Sequence, residues 1–255
     1  MYTTRLQHLL LIFLLLSLPG WGQASQESTI QPVSFATSII KPWGMEIDGE
    51  QKGLLIDTTR ALFLETGIPY QNKLRPYTRV FHELISGYSE FALVFQSPKI
   101  DQQALYIGKV AQTRVIIVGL ASMKKTLPLE QMAGFKIGHM RGSKYGPRFD
   151  EATHVTRHPV NSIAQGLAML LRGRIDAMAA VDHTIYWGMS ELDISTGDIM
   201  ELTSIPGPTL ALYMSKNTKQ SHLLSIYQQA VEKLTTDKVF ESIYGNPQRW
   251  LNTGE

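Results

Sequence analysis

The 255-residue chain contains no cysteine. That removes disulfide staples, thiolate metal ligands, a cysteine nucleophile and a lipid-bearing cysteine. Charge of one sign is also missing: 24 Lys and Arg face 22 Asp and Glu, for a formal +2. No basic stripe tracks phosphates and no polyacidic tail occurs, so nucleic acid is not an expected partner. Low-complexity tracts and repeats of solenoid period are absent. The longest apolar run, Leu9–Leu18 with Ser17 inside it, is about ten residues, against roughly 20 for a bilayer span. Metal spacing is wanting as well. His154 and His158 are four apart, but Pro159 ends their segment, and Phe81-His82-Glu83-Leu84 lacks the second histidine of a zincin helix. Gly138, Gly142 and Gly146 make neither a G-x-G-x-x-G nor a P-loop, and no G-x-S-x-G elbow appears. No metal or cofactor is expected.

What is present begins with a leader. In MYTTRLQHLLLIFLLLSLPGWGQASQ, Arg5 and His8 give a basic front, an apolar stretch follows, and Gly22-Gln23-Ala24 puts small residues at −3 and −1 of a cut. This is the layout of a secretory signal peptide, residues 1–24, cleaved after Ala24. An exported chain with no anchor is retained by an outer membrane, so the expected compartment is the periplasm, with no membrane insertion after cleavage. The remaining length, about 230 residues, is ample for a core built from burial alone.

From Pro32 onward, short β-rich runs alternate with helical stretches. Val33–Ser38, Tyr70–Leu74, Phe91–Phe95 and Arg114–Leu120 read as strands. Leu55, Ile56, Thr59, Leu62, Phe63 and Thr66 fall at helical spacing before Gly67. Pro76 opens a second helix, with the stripe Val80, Phe81, Leu84, Ile85, stopped by Gly87. A second batch repeats the scheme. Phe135–Met140 is a strand, Ser143–Ala152 a helix, Val155–Arg157 a strand, and Asn161 caps a helix ending at Gly173. Ile175–Val181 is a strand and Asp182–Met189 a helix. Ile199–Thr203 and Thr209–Ser215 are two more strands, and Ser221–Leu234 and Lys238–Tyr244 are closing helices. The alternation implies α/β layers with mainly parallel pairing. Two batches suggest two lobes, 25–111 with 210–255 and 112–209, hinged near Lys109–Arg114 and Gly207–Leu210, with a ligand cleft between them.

The order of several short motifs resembles the family 3 extracellular solute-binding proteins. Pro42-Trp43 stands where that family has a proline and an aromatic after the first strand. Gly53-Leu54-Leu55-Ile56-Asp57 stands for its first helix start, and Tyr77 for the second aromatic of the first lobe. Leu84-Ile85-Ser86-Gly87 with Glu90-Phe91-Ala92 resembles its L-x-S-G-x-x-D-A element. Gly134-Phe135-Lys136-Ile137-Gly138 with Arg141-Gly142-Ser143 resembles G-K-K-V-G-V-x-x-G-S, and Arg172-Gly173-Arg174-Ile175-Asp176-Ala177 resembles x-G-R-V-D-A. The resemblance runs from Val33 to Tyr244. It implies an α/β, two-lobed type II periplasmic binding protein fold with two crossover hinge strands, feeding amino acids to an ABC importer.

By that resemblance Trp43 and Tyr77 sandwich the ligand's side chain; a rigid aromatic face gives contact area at little entropic cost. The alternative is that Trp43 plugs the base of its loop and Tyr77 packs under its helix. The Ser/Thr-rich segment falls on Ser97-Pro98-Lys99. The arginine that grips an α-carboxylate falls on Gln102, which lacks a charged two-donor fork. Arg79, Arg141 or Lys144 could replace it. Gly142 and Ser143, in Gly-Ser-Lys-Tyr-Gly with Tyr145, suit an anionic ligand group at a helix start. The amine-binding aspartate position is Val181, with Asp182 one place later, as ligand carboxylate or as helix N-cap.

The expectation is thus a binding protein, not an enzyme, for a small polar ligand such as an amino acid or amine. A monomer partnered by an ABC permease or by a sensor ectodomain is implied. The alternative is an enzyme of the same fold, similar to cyclohexadienyl dehydratase, with an acid among Asp101, Asp182 and Glu46 aimed into the cleft.

Overall fold

Runs of β-branched and aromatic residues set the strands, and glycines and prolines punctuate them. A computed structural model describes residues 31–252; the leader and its cut after Ala24 lie outside them. β1 (Val33–Ser38) is buried along its whole length. β2 (Met45–Ile47) and β3 (Glu50–Lys52) form a hairpin on Asp48-Gly49, both at positive φ, as a two-residue primed turn requires. α1 (Leu54–Thr66) ends on Gly67 in the left-handed conformation. β4 (Tyr70–Arg75) leads to α2 (Tyr77–Ser86), with Pro76 before it and a left-handed Gly87 after it. β5 (Phe91–Phe95) is followed by α3 (Pro98–Gln103), which the sequence pattern did not suggest, and by β6 (Ala104–Leu120).

The second batch comprises β7 (Lys136–Met140), α4 (Pro147–Asp150), β8 (Thr156–Val160), α5 (Ile163–Leu171), β9 (Ala177–Val181) and α6 (Asp182–Glu191). β10 (Ile199–Ser215), α7 (Leu223–Thr236), α8 (Val239–Tyr244) and a 3-10 helix (Pro247–Asn252) complete the chain.

Three expectations about where elements begin and end need correction. The two strands expected at Ile199–Thr203 and Thr209–Ser215 are one, β10, running through Pro206-Gly207-Pro208 with a register shift. The helix expected over Ser143–Ala152 shrinks to α4, because Gly142 and Gly146 sit at positive φ and the Asp150 carboxylate accepts from the Tyr145 and Gly146 N–H groups. Ser162, rather than Asn161, caps α5: its Oγ accepts from Gln165 N, while Gln165 Oε1 accepts from Asn161 N.

The sheet order is β4-β1-β5-β10-β6-β9-β7-β8. β4, β1 and β5 form one parallel set and β9, β7 and β8 another, but β10 runs antiparallel to β5 and β6, and β6 to β9, so the pairing is mixed rather than mainly parallel as expected. Strand periodicity divides the first set cleanly. Val33, Phe35, Phe91, Leu93, Leu212 and Met214 face the large core that α1 and α7 cover. Ala36, Ala92, Val94, Ala211 and Tyr213 face a smaller one with Val80 and Leu84 of α2. No helix among the described residues is long and apolar enough to cross a membrane.

Candidate functional site

β6 and β10 are each 17 residues long and serve both sets of strands. The last part of β10, Leu210–Met214, pairs with β5, whereas Val115–Val118 of β6 pairs with β9. Between these zones β10 passes Pro206-Gly207-Pro208. Two prolines remove two ladder donors there, and side chains fill the gap. Thr113 Oγ1 donates to the Pro208 carbonyl at 2.6 Å, Gln112 Nε2 to the Gly207 carbonyl at 2.6 Å, and Thr209 Oγ1 to Gln112 Oε1 at 3.0 Å. A Cβ on Gly207 would stand 2.5 Å from Thr113 Oγ1, so only glycine fits.

Trp43, on the connection after β1, is 6% exposed. Its indole N–H donates to Thr184 Oγ1 of α6 at 3.1 Å. Its ring lies edge-on to Phe95 at 5.5 Å and near His183 and Tyr244 at 5.9 and 6.2 Å. The loop after β1 in the first strand set therefore touches the helix after β9 in the second. Lys41 Nζ adds an ion pair to Glu191 Oε1 at 2.7 Å.

The buried His183 is held from two sides: Trp250 Nε1 donates to its Nδ1 at 3.0 Å, and its Nε2–H donates to the Tyr244 carbonyl at 2.9 Å. This pairing requires the neutral Nε2–H tautomer. Burial pushes the imidazole pKa below its ordinary value, outweighing the upward pull of the Tyr244 carbonyl and of Asp182. Trp250 also meets Trp187 edge-on at 5.1 Å, so the C-terminal 3-10 helix packs on α6 while α7 and α8 before it pack on α1 and β6.

Asp182 is the first residue of α6, not its N-cap, which is Val181. Its carboxylate is buried; Oδ1 accepts from His183 N at 2.7 Å and Oδ2 from Arg114 Nε at 3.4 Å. Arg114 Nη1 reaches Glu201 Oε1 at 2.8 Å. One cation thus stands between two carboxylates beside the strand crossing.

The remaining candidates each have partners of their own. Tyr77 meets Phe81 edge-on at 4.9 Å, and burial pushes its hydroxyl up to about 12. Arg79 is exposed and donates to Glu83 at 2.9 Å. Glu83 is 2% exposed and also takes Arg75 Nε at 2.7 Å and Ser89 Oγ at 3.2 Å. Burial raises its carboxyl pKa, but the Arg75 and Arg79 hydrogen bonds prevail and hold it below the usual range. Ser97 is the N-cap of α3, and Gln102 is exposed near its end, its carbonyl taking Lys216 Nζ. Gly142, at φ 79°, and Ser143 form the turn after β7. Tyr145 is buried against Phe149, and burial pushes its hydroxyl up to about 12.

Among the described residues no hydrogen bond or ring contact joins Trp43 to Tyr77 or to Gly142–Tyr145. Arg141 Nε donates to Asn161 rather than across. Of the candidate acids, Asp101 accepts from the Tyr213 hydroxyl and Glu46 is exposed on the hairpin. His154 Nε2 bonds the Leu129 carbonyl. No group of three or more potential metal ligands occurs among the described residues. Sequence reasoning missed Thr184, His183, Arg114 and Trp250; an aromatic close to the C-terminus was the one signal that could have pointed to the last. It also missed Ser38, whose buried hydroxyl at the end of β1 has no hydrogen-bond partner among the described residues.

No protein-family model and no curated protein matches the sequence. Solved structures do. The periplasmic VFT2 domain of BvgS from Bordetella pertussis superposes with a TM-score of 0.69 at 17% identity, over 86% of this chain and 92% of that one. An ancestral arginine-binding protein bound to arginine gives 0.66 at 17%, over 88% and 100%. A histidine kinase sensor domain with similarity to periplasmic binding proteins gives 0.64 at 16%, over 87% and 96%. Superposition over most of both chains, at such low identity, speaks for architecture. The chain has the two-lobed α/β fold of the periplasmic binding proteins, with β6 and β10 as its crossover strands.

Proposed function

We propose that this is a solute-binding protein of the periplasm, exported by its leader, that closes two lobes over a small polar ligand. The observation that carries the reading is the pair of 17-residue strands through which the two halves are joined. Such a joint lets lobes swing as bodies, and closure is then biased by contacts made only in the shut state. On this reading the first lobe takes in, of the described residues, 32–111 with 210–252, and the second 112–209. Trp43 reaches across from the first, while Gly142, Ser143 and Asp182 belong to the second.

The ligand is not a plain α-amino acid held in the usual way. Gln102 has no guanidinium to offer, and Asp182 is already paired with Arg114. A modified amino acid, a small amine, a short peptide or an uncharged compound fits better. An ABC permease is the partner on this reading. A sensing role is favoured by a different observation: Trp43–Thr184 and Lys41–Glu191 are closure contacts made by the protein's own side chains. A protein whose shut form is partly self-supporting can report it to a receptor.

A thermal-shift screen of the mature chain with amino acids, amines, short peptides and organic acids tests the reading. A ligand at a hundredfold excess over its Kd adds about 2.7 kcal/mol, or about 5–11 °C for a chain of this size. Recovery of that ligand unchanged supports binding. Turnover of a prephenate-like acid would replace the reading with the dehydratase alternative, and no shift with any class would remove its support.

A further inference from the structure

We propose a second ligand site, for a short alkylammonium compound, between β6, β10, α6 and the C-terminal 3-10 helix. A cavity of about 210 Å³ lies there, sharing no lining residue with the cleft candidates. It is below the 300 Å³ or so at which drug-sized pockets begin, so its occupant is small.

The polar lining selects the charge. Glu201 offers one carboxylate oxygen to Arg114 Nη1 at 2.8 Å, which leaves Oε2 for another donor. Arg114 is shared with Asp182, so this group of three carries one net negative charge. Gln248 Nε2 donates to the Tyr186 hydroxyl oxygen at 3.4 Å, leaving the amide oxygen of Gln248 uncommitted. Carboxylate, amide and phenol oxygens lining one small cavity suit a group with several N–H donors and a positive charge. Glu201 repels an anion. The remaining wall is mainly apolar: Val118 from β6, Met189 from α6 and Ile199 and Met200 from β10, with Thr196 its one further polar member. Methionines are adaptable, polarizable surfaces for a short aliphatic tail. Tyr186 and Met189 sit on the helix that Trp43 and Trp250 also hold, so an occupant would brace α6 against the crossover strands.

The test uses the mature protein carrying ¹³C-methyl methionine, titrated with n-butylammonium chloride against sodium chloride at equal ionic strength. Saturable shifts are expected at the Met189 and Met200 methyls. Glu201→Gln should weaken the titration by about tenfold or more, the worth of a charge-assisted hydrogen bond. Gln248→Glu should tighten it, a gain that misfolding cannot imitate. 1-Butanol, equal in shape and uncharged, should produce no saturable shift. No saturation with the amine, equal affinity in both variants, or equal response to the alcohol would overturn the site. A ligand from the thermal screen that leaves the Met189 and Met200 methyls unshifted should bind alongside n-butylammonium; its competition with the amine would place the amine in the cleft and refute the second site. The methyl signals report independently of that screen, so either reading can fail alone.

Discussion

The Trp43–Thr184 hydrogen bond predicts a measurable coupling between lobes before any ligand is added. Trp43→Phe keeps an aromatic ring against Phe95 and Tyr244 and deletes the N–H donor. Thr184→Val is nearly isosteric and deletes the acceptor. A net intramolecular hydrogen bond contributes about 0.5–1.5 kcal/mol, and residues in contact should show a non-additive term of that order. Trp43→Ala sets the scale of the whole contact. Removing an indole packed among three rings costs about 3–5 kcal/mol, or about 6–20 °C in Tm. Urea denaturation of wild type, both single variants and the double variant gives the cycle. Effects that add to within about 0.3 kcal/mol would mean the indole N–H is not bonded across the lobes in solution. The lobes would then be held open without ligand, and the self-supported closure invoked for sensing would fail.

Two further outcomes follow from buried ionisable groups. His183 has a folded pKa below its ordinary 6.5, so the unfolded chain binds more protons in the interval between the two values. Stability is then full above pH 6.5 and declines as pH falls below it. His183→Gln should flatten that part of a Tm–pH profile, leaving the share of His139, also lowered by burial. An unchanged slope would show that Trp250 and Tyr244 do not hold a neutral imidazole. Glu83 behaves oppositely in kind: its carboxyl is held below the ordinary 4.5, so its contribution is present above that pH and lost as acid protonates it. Glu83→Gln should cost about 1–3 kcal/mol near neutral pH. A variant as stable as wild type would show that Arg75 and Arg79 gain nothing from it.

Much of the architecture was legible because local and tertiary preferences agree. Gly67 and Gly87 end their helices in the left-handed conformation, and Phe91–Phe95 is a continuous apolar strand covered on both faces. Legibility failed where distant partners override local signals. Pro206-Gly207-Pro208 reads as a break, yet pairing with β6 on both sides keeps β10 whole. α3 is too short to show a period, although Ser97-Pro98 is a helix-start pair. The Asp150 carboxylate shortens α4 by binding N–H groups that the helix pattern would have used. The site was the least readable part, because its groups come from remote positions. Trp43 and Thr184 are 141 residues apart, and His183 and Trp250 are 67 apart. The sequence offered Trp43 either as a ligand face or as a loop plug. In the structure it is buried and bridges to α6.

The Pro206-Gly207-Pro208 passage bears on how freely the two halves can rock. An ordinary pair of strands resists bending because flexion strips peptide hydrogen bonds from both. Here the peptide chain has little to surrender at the bend, for two of its three residues carry no N–H. The carbonyls of Gly207 and Pro208 are tied by the amide of Gln112 and the hydroxyl of Thr113, which can pivot as the backbone turns. Rocking at this spot should therefore be soft in one place and stiff elsewhere, like a crease folded into card.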